Sequence, residues 1–141
     1  MRLRTYAAFL RSRAKRKQFA NHVAYSEIFK DHIAHPRNAG RLENANARAE
    51  QTNPVCGDRI ELSLRLVDDR IEAVGFLAYG CAPTLACGSA LAEMIDEMSC
   101  EEASRLTRQD IISVLGGLPS GKQHAAALAI EVLQAALTRQ L

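Results

Sequence analysis

Asn53-Pro54-Val55-Cys56-Gly57-Asp58 runs straight into Arg59-Ile60-Glu61-Leu62-Ser63-Leu64-Arg65-Leu66-Val67, and the fold is decided at this junction. From Arg59 to Val67 the chain alternates: Ile60, Leu62, Leu64 and Leu66 fall on one side, Arg59, Glu61, Ser63 and Arg65 on the other. Period two sustained over this length predicts a half-buried antiparallel strand. Cys56 then sits in a tight loop at a sheet edge, where Gly57 lets backbone approach closely and Asp58 can reach the same point in space. A thiol and a carboxylate two residues apart, held at the end of a rigid strand, suit a metal ion. The competing structural reading is a small buried cysteine beside a turn-forming aspartate, because cysteine is among the most buried residue types.

Downstream, Asp68-Asp69 predicts a hairpin turn. Arg70 to Tyr79 returns as a strand, with Ile71, Ala73, Val74, Phe76 and Tyr79 as its apolar or aromatic members and Gly75 as a candidate bulge. Upstream, Ala47 to Gln51 offers an edge strand inside a polar run from Arg41 to Thr52. Connections this short make a meander of two or three strands.

Gly80-Cys81-Ala82-Pro83 ends the sheet and opens a helix predicted to run to about Met98, since proline is favoured in the first helical turn. Leu91, Met94, Ile95 and Met98 form its core face, and Glu93, Asp96 and Glu97 lie outside. Gly88 within it costs about 1 kcal/mol relative to alanine and implies close packing. Ser99 to Glu102 reads as a capping box for the next helix. Thr107 starts another, which Gly116-Gly117 stops. Ser120 is expected to cap a last helix from Gly121 to about Arg139, with Gln123 as the residue reaching back and Ala127, Leu128, Ile130, Leu133 and Leu137 as its apolar face. Before the sheet, Tyr25 to Ala34 reads as a short helix capped by Ser26, with Phe29 and Ile33 on one side. His35-Pro36 ends it, because the residue before proline is pushed out of the helical region.

At 141 residues the chain is one domain by length, and 48% apolar residues supply an ordinary core. Tryptophan is absent, so aliphatic packing and alanine-lined helix contacts carry most of the stabilisation. No apolar run approaches the roughly 20 residues that span a bilayer. Four cysteines without a secretory signal fit a reducing cytoplasm, where thiols serve as ligands or nucleophiles. The net charge of +2 hides an asymmetry: residues 1–24 hold Arg2, Arg4, Arg11, Arg13, Lys15, Arg16 and Lys17 and no acid. The remainder keeps 11 of the 18 basic groups against all 16 acidic ones, a net charge of −5. The basic head is read as a solvated extension; a nucleic-acid arm, a transit peptide or an upstream translation start are the alternatives.

Three further features can carry chemistry. Cys81 lies where a strand delivers the chain to a helix N-terminus, whose free N–H groups and dipole favour thiolate. Lys122 and His124 fall in the expected first turn of the last helix, and imidazole is a common metal ligand. Cys56, Asp58, Cys81 and His124 thus come from chain ends able to converge at one end of the sheet, although their spacing is too wide for a zinc knuckle. Gly116 to Lys122 matches the first seven positions of a phosphate-binding P-loop, but the eighth is Gln123 where a hydroxyl is needed, and a helix precedes it where a strand is needed. Cys87 and Cys100 are read as structural; Cys87 is about 240° round the helix from Cys81, though a later helix start would bring it nearer.

From Tyr25 to its end the chain resembles the NifU/IscU family of iron–sulfur cluster assembly scaffolds. The resemblance is carried by Tyr25-Ser26-Glu27, His35-Pro36-Arg37-Asn38-Ala39-Gly40, Cys56-Gly57-Asp58, Tyr79-Gly80-Cys81, Leu118-Pro119, Lys122-x-His124 and Leu128-Ala129, in the family's order and spacing. It implies an α+β fold, a small antiparallel sheet of two to three strands packed against about five helices. It also implies a site that holds a nascent [2Fe–2S] cluster, or zinc in its absence, on Cys56, Asp58, Cys81 and His124. Cys56 and Cys81 match two of the family's three cysteines, and Asp58 matches the aspartate that favours cluster release. The implied partners are a cysteine desulfurase and apo iron–sulfur acceptor proteins, with neither nucleic acid nor membrane, and the implied role is a scaffold or carrier rather than an enzyme. The chain departs from the pattern at Ala125, where the family has its third cysteine, a ligand and main acceptor of sulfur. It departs again at Leu118-Pro119-Ser120-Gly121-Lys122, where the chaperone-recognition segment is Leu-Pro-Pro-Val-Lys, which weakens the case for a chaperone partner. A zinc-binding sulfur-transfer protein that accepts persulfide at Cys56 or Cys81 is the alternative, and an adaptor that keeps the fold without the cluster is a third.

The domain is expected over residues 25–141, with residues 1–24 dispensable for folding because they carry no core pattern. A chain starting at Tyr25 should keep the thermal midpoint of the full chain within a few degrees; aggregation or a large drop in a melting experiment would show that the head docks onto the body.

Overall fold

The computed structural model describes residues 25–139; the basic head lies outside the described residues. The elements are α1 (Glu27–Ala34), β1 (Ala47–Thr52), β2 (Arg59–Val67), β3 (Arg70–Tyr79), α2 (Ala82–Ile95), α3 (Cys100–Ser104), α4 (Arg108–Val114), a 3-10 turn (Ser120–Lys122) and α5 (His124–Thr138). The strands form one antiparallel sheet in the order β1-β2-β3. This is the α+β architecture expected, with all three strands present.

The apolar alternation in β2 does what period two dictates. Ile60, Leu62 and Leu64 are fully buried beside Ala47 and Ala49 of β1 and Ile71, Val74 and Phe76 of β3. Helices α5 and α2 cover this face, α5 on β1 and β2 and α2 on β3. The β2–β3 hairpin turns on Asp68 (φ 50°) and Asp69 (φ 61°), the left-handed pair that matches strand twist.

The polar side of β2 is more enclosed than alternation predicts. Chain from Asn38 to Asn46 folds back against the sheet: Gly40 N–H donates to Phe76 O at 2.8 Å, Leu42 N–H to Ser63 Oγ at 3.1 Å, and Asn46 N–H to Leu64 O at 2.9 Å. Glu61 and Ser63 are consequently buried. Burial of the Glu61 carboxylate is offset by a two-pronged ion pair from Arg41, Nε at 2.5 Å and Nη2 at 2.7 Å. Those hydrogen bonds hold Glu61 below the usual carboxylate range against the opposing effect of burial. Gly75 is therefore no bulge. The register shifts between Arg65 and Leu66, whereas a Cβ on Gly75 would lie 2.5 Å from Gly40 O.

Two helix limits differ from the sequence expectation. Helix α2 stops at Ile95, not Met98, because the chain leaves to pair with β3: Glu97 N–H donates to Ile71 O and Ile71 N–H to Met98 O, with Glu97 at φ 71°. Helix α5 begins at His124, and Ser120 opens the 3-10 turn instead of capping the helix; Gln123 reaches back to Leu118 O at 3.3 Å. Gly88 meets the expectation of close packing, since a Cβ there would stand 2.8 Å from the Phe76 ring. Thr107 and Asp110 form the reciprocal capping box of α4. Ser99 caps α3 by accepting from Glu102 N–H.

The His35-to-Gly40 stretch is anchored from beneath by a buried polar group. His32 Nδ1 and Ser89 Oγ are 2.6 Å apart, and Arg37 N–H donates to the same Ser89 Oγ at 2.8 Å. Arg37 also pairs with Asp31 and, at 3.5 Å, with Glu93, so Glu93 is half-buried rather than outside. Burial first, then the Arg37 charge, pushes the His32 imidazole down from 6.5 to about 4. An unfolded chain takes up this proton at a higher pH than the folded one does. The His32 contribution is thus complete above pH 6.5 and is lost as pH falls towards about 4. The thermal midpoint should decline through that window, and His32→Gln should lack that part of the slope in melts collected across pH.

Candidate metal centre

The β1–β2 loop is built by its first residue. Asn53 Oδ1 accepts from Val55 N–H at 2.9 Å and Cys56 N–H at 3.4 Å, Asn53 O accepts from Gly57 N–H, and Asn53 N–H donates to Asp58 O. Gly57 takes φ 79°, a conformation glycine adopts without cost. The result lifts Val55 (94% exposed) and Cys56 into solvent while Asp58 turns inward, 9% exposed.

Asp58 lands on the junction between β3 and α2. Its carboxylate lies over Gly80, which has φ 140° and no room for a Cβ: that atom would sit 2.3 Å from Asp58 Cγ. Asp58 Oδ2 accepts from Thr84 Oγ1 at 2.7 Å, Cys81 Sγ at 3.0 Å and Cys81 N–H at 3.3 Å. The Cys81 thiol, then the Thr84 hydroxyl, hold the carboxyl below its ordinary range; burial works the other way, and Cys81 N–H and the Cys56 thiol reinforce the lowering.

Cys56, Asp58 and His124 bring one ligand atom each within 4.8 Å of one another. Donors around a tetrahedral zinc at about 2.0–2.3 Å stand roughly 3.3–3.8 Å apart, so small side-chain rotations close this set on one metal. Cys81 stands beside the trio, joined to it through Asp58. All four residues singled out in the sequence are therefore neighbours, and their donors, two thiols, one imidazole and one carboxylate, fit zinc or an iron–sulfur cargo. Lys122 is exposed in the 3-10 turn and does not belong to the trio. Ala125, the next residue after His124, is fully buried.

The two other thiols do different work. Cys87 is completely buried in the core face of α2, and burial first, then the Cys81 charge, pushes its thiol up to about 12. Cys100 opens α3 by donating its N–H to Asp69 O. Sequence reasoning missed Thr84. Its signal was present: a residue three past Cys81 in the first helical turn shares that residue's face.

The fold is the one found in iron–sulfur cluster assembly scaffolds. Residues 24–140 match the family described as NifU-like N terminal domain, and the chain belongs to that family. It is 39% identical over 113 residues to the iron–sulfur cluster assembly scaffold protein IscU 1 of Archaeoglobus fulgidus, covering 80% of this chain and 74% of that one. The IscU scaffold of Aquifex aeolicus is also 39% identical, over 80% of this chain and 73% of its own. Among solved structures, a putative iron–sulfur cluster assembly scaffold for the SUF system from Fervidobacterium islandicum superposes with a TM-score of 0.68 at 25% identity, over 84% of this chain and 99% of that one.

Gly80→Ala tests the seat of Asp58. The clash and the strained φ should cost about 1–3 kcal/mol, lowering the thermal midpoint, and should reduce uptake of added zinc. Gly121→Ala, where a Cβ meets nothing within 4 Å, should leave both near wild type.

Proposed function

We propose that this protein is a scaffold or carrier that holds a nascent [2Fe–2S] cluster, or zinc in its absence, on Cys56, Asp58, Cys81 and His124. The observation that carries this reading is the approach of Cys56, Asp58 and His124 to within 4.8 Å, with Cys81 Sγ 3.0 Å from Asp58. Thiolates suit cluster iron and zinc alike, imidazole suits both, and carboxylate is the hard, weak member of the set. A cluster held only by protein wants four such donors, so one iron is left loosely bound and ready for transfer. Sulfur comes from a cysteine desulfurase, and apo iron–sulfur proteins accept the product. The role is assembly and delivery, not turnover of a small substrate, and it fits the reducing cytoplasm. Among the described residues all four cysteines are free thiols, and no helix is long and apolar enough to cross a membrane.

The exposure of Cys56 favours a second reading, a zinc-binding sulfur-transfer protein. Its thiolate is accessible to attack the outer sulfur of a desulfurase persulfide; that sulfur moves to Cys56, and the desulfurase cysteine leaves as thiolate. Anaerobic reconstitution followed by iron, sulfide and zinc analysis separates the readings: a scaffold gains iron and sulfide together, a sulfur carrier keeps zinc and gains one sulfur on Cys56.

Zinc is expected in the protein as isolated, and a labile cluster after reconstitution. Cys56→Ala and Cys81→Ala should each lower metal content, and unchanged content in both would show that the ligands lie elsewhere. Ala125→Cys should lengthen the cluster half-life under a chelator by adding a soft donor beside His124; an equal half-life would mean that the buried position cannot present its sulfur to the metal.

A further inference from the structure

Thr84 is outside the ligand set, yet its hydroxyl makes the shortest of the three hydrogen bonds on Asp58 Oδ2, 2.7 Å, from a side chain that is 1% exposed. The other two donors on that oxygen, Sγ and N–H, both belong to Cys81. All three converge on Oδ2 and none on Oδ1.

Of the three donors, Thr84 is the one from a residue outside the candidate ligand set; the other two belong to Cys81, whose sulfur would face a bound metal instead of holding the carboxylate. What remains on Oδ2 is the Thr84 hydroxyl and the longer Cys81 N–H contact of 3.3 Å. A carboxylate free to rotate switches between one-oxygen and two-oxygen coordination, which opens a route for displacing neighbouring ligands. One tied through Oδ2 offers a single oxygen in a fixed direction.

We propose that Thr84 is a positioning residue for metal retention: its hydroxyl pins Asp58 Oδ2 and restrains the carboxylate from displacing the other ligands of a bound zinc or cluster. The inference rests on the metal-site reading above. In this arrangement Asp58 promotes release and Thr84 sets how readily it does so. Beside the Thr84 hydroxyl, only the longer Cys81 N–H contact of 3.3 Å would restrain Oδ2 in a loaded site.

The test compares Thr84→Val, which keeps the shape and removes the hydroxyl, with Thr84→Ser, which keeps the hydroxyl. Each is made in the full chain, alone and with Asp58→Ala. Release of zinc, and of reconstituted cluster, to a chelator is timed. Thr84→Val should release both faster by about two- to tenfold, the worth of one hydrogen bond. Thr84→Ser should stay within about twofold of wild type, and Asp58→Ala should release the cluster more slowly. Because Thr84 acts through Asp58, the Thr84→Val effect should vanish in the Asp58→Ala background. A Thr84→Val effect that persists there, or wild-type release rates in Thr84→Val, would overturn the proposal. Amide hydrogen exchange at Cys81 in metal-free protein tests the pin without any cargo. Thr84→Val should speed it and Thr84→Ser should not, and with Asp58→Ala the choice at position 84 should make no difference. Should wild type hold neither zinc nor cluster, the functional reading fails while this exchange still decides the role of Thr84; unchanged exchange in Thr84→Val overturns it.

Discussion

The Asp58 carboxylate, seated on the first turn of α2, joins the two halves of the molecule at the end where the site forms. Asp58 comes from the β1–β2 hairpin and its hydrogen-bond donors from the β3–α2 junction. An ionised carboxylate that is 9% exposed is costly unless its lone pairs are satisfied. Three donors satisfy it, and the positive end of the helix dipole adds a favourable field. Gly80 is the geometric condition, because any Cβ would occupy the space of the carboxylate. Position and charge state of Asp58 thus follow from one contact, which also holds Cys81, while Cys56 is placed by the Asn53 loop.

The opposite side of the sheet shows how the rest is kept rigid. The segment after α1 is polar and has no period of its own, yet it is fixed by three side chains from two elements. Ser89 of α2 accepts the Arg37 N–H, Ser63 of β2 accepts the Leu42 N–H, and Glu61 of β2 takes the Arg41 guanidinium. Buried polar groups of this kind destabilise unless every partner is in place. Here they close a strap over strands that alternation alone leaves open to water. At the Val55-Cys56 tip the backbone N–H groups donate to Asn53 within the same loop.

Local patterns were legible and long-range ones were not. The strand over Arg59–Val67, the Asp68-Asp69 turn and the Thr107 cap are set by residues a few positions apart, and each formed as read. The end of α2 and the start of α5 were misplaced because tertiary pairing overrides propensity. Ile71 draws Glu97 and Met98 out of the helix, and the 3-10 turn delays α5. Gly75 was read as a bulge, since a close approach from Gly40 O leaves no local trace. Four candidate site residues are legible because each stands in a recognisable motif. Thr84 stands in none, and only the fold shows that its hydroxyl reaches a carboxylate 26 residues away in sequence.

Ala125 shows why the charge and hardness of the fourth donor matter to the proposed role. A third thiolate would make the set soft throughout and the metal slow to leave. With alanine there, buried and without a donor, the weakest member of the proposed ligand set is a carboxylate already bonded to Thr84 and Cys81. The donors gathered on Oδ2 leave the carboxylate a single oxygen and a single direction to offer a metal. In the proposed role the hard oxygen lets a cargo leave, and the seat keeps it from leaving too readily.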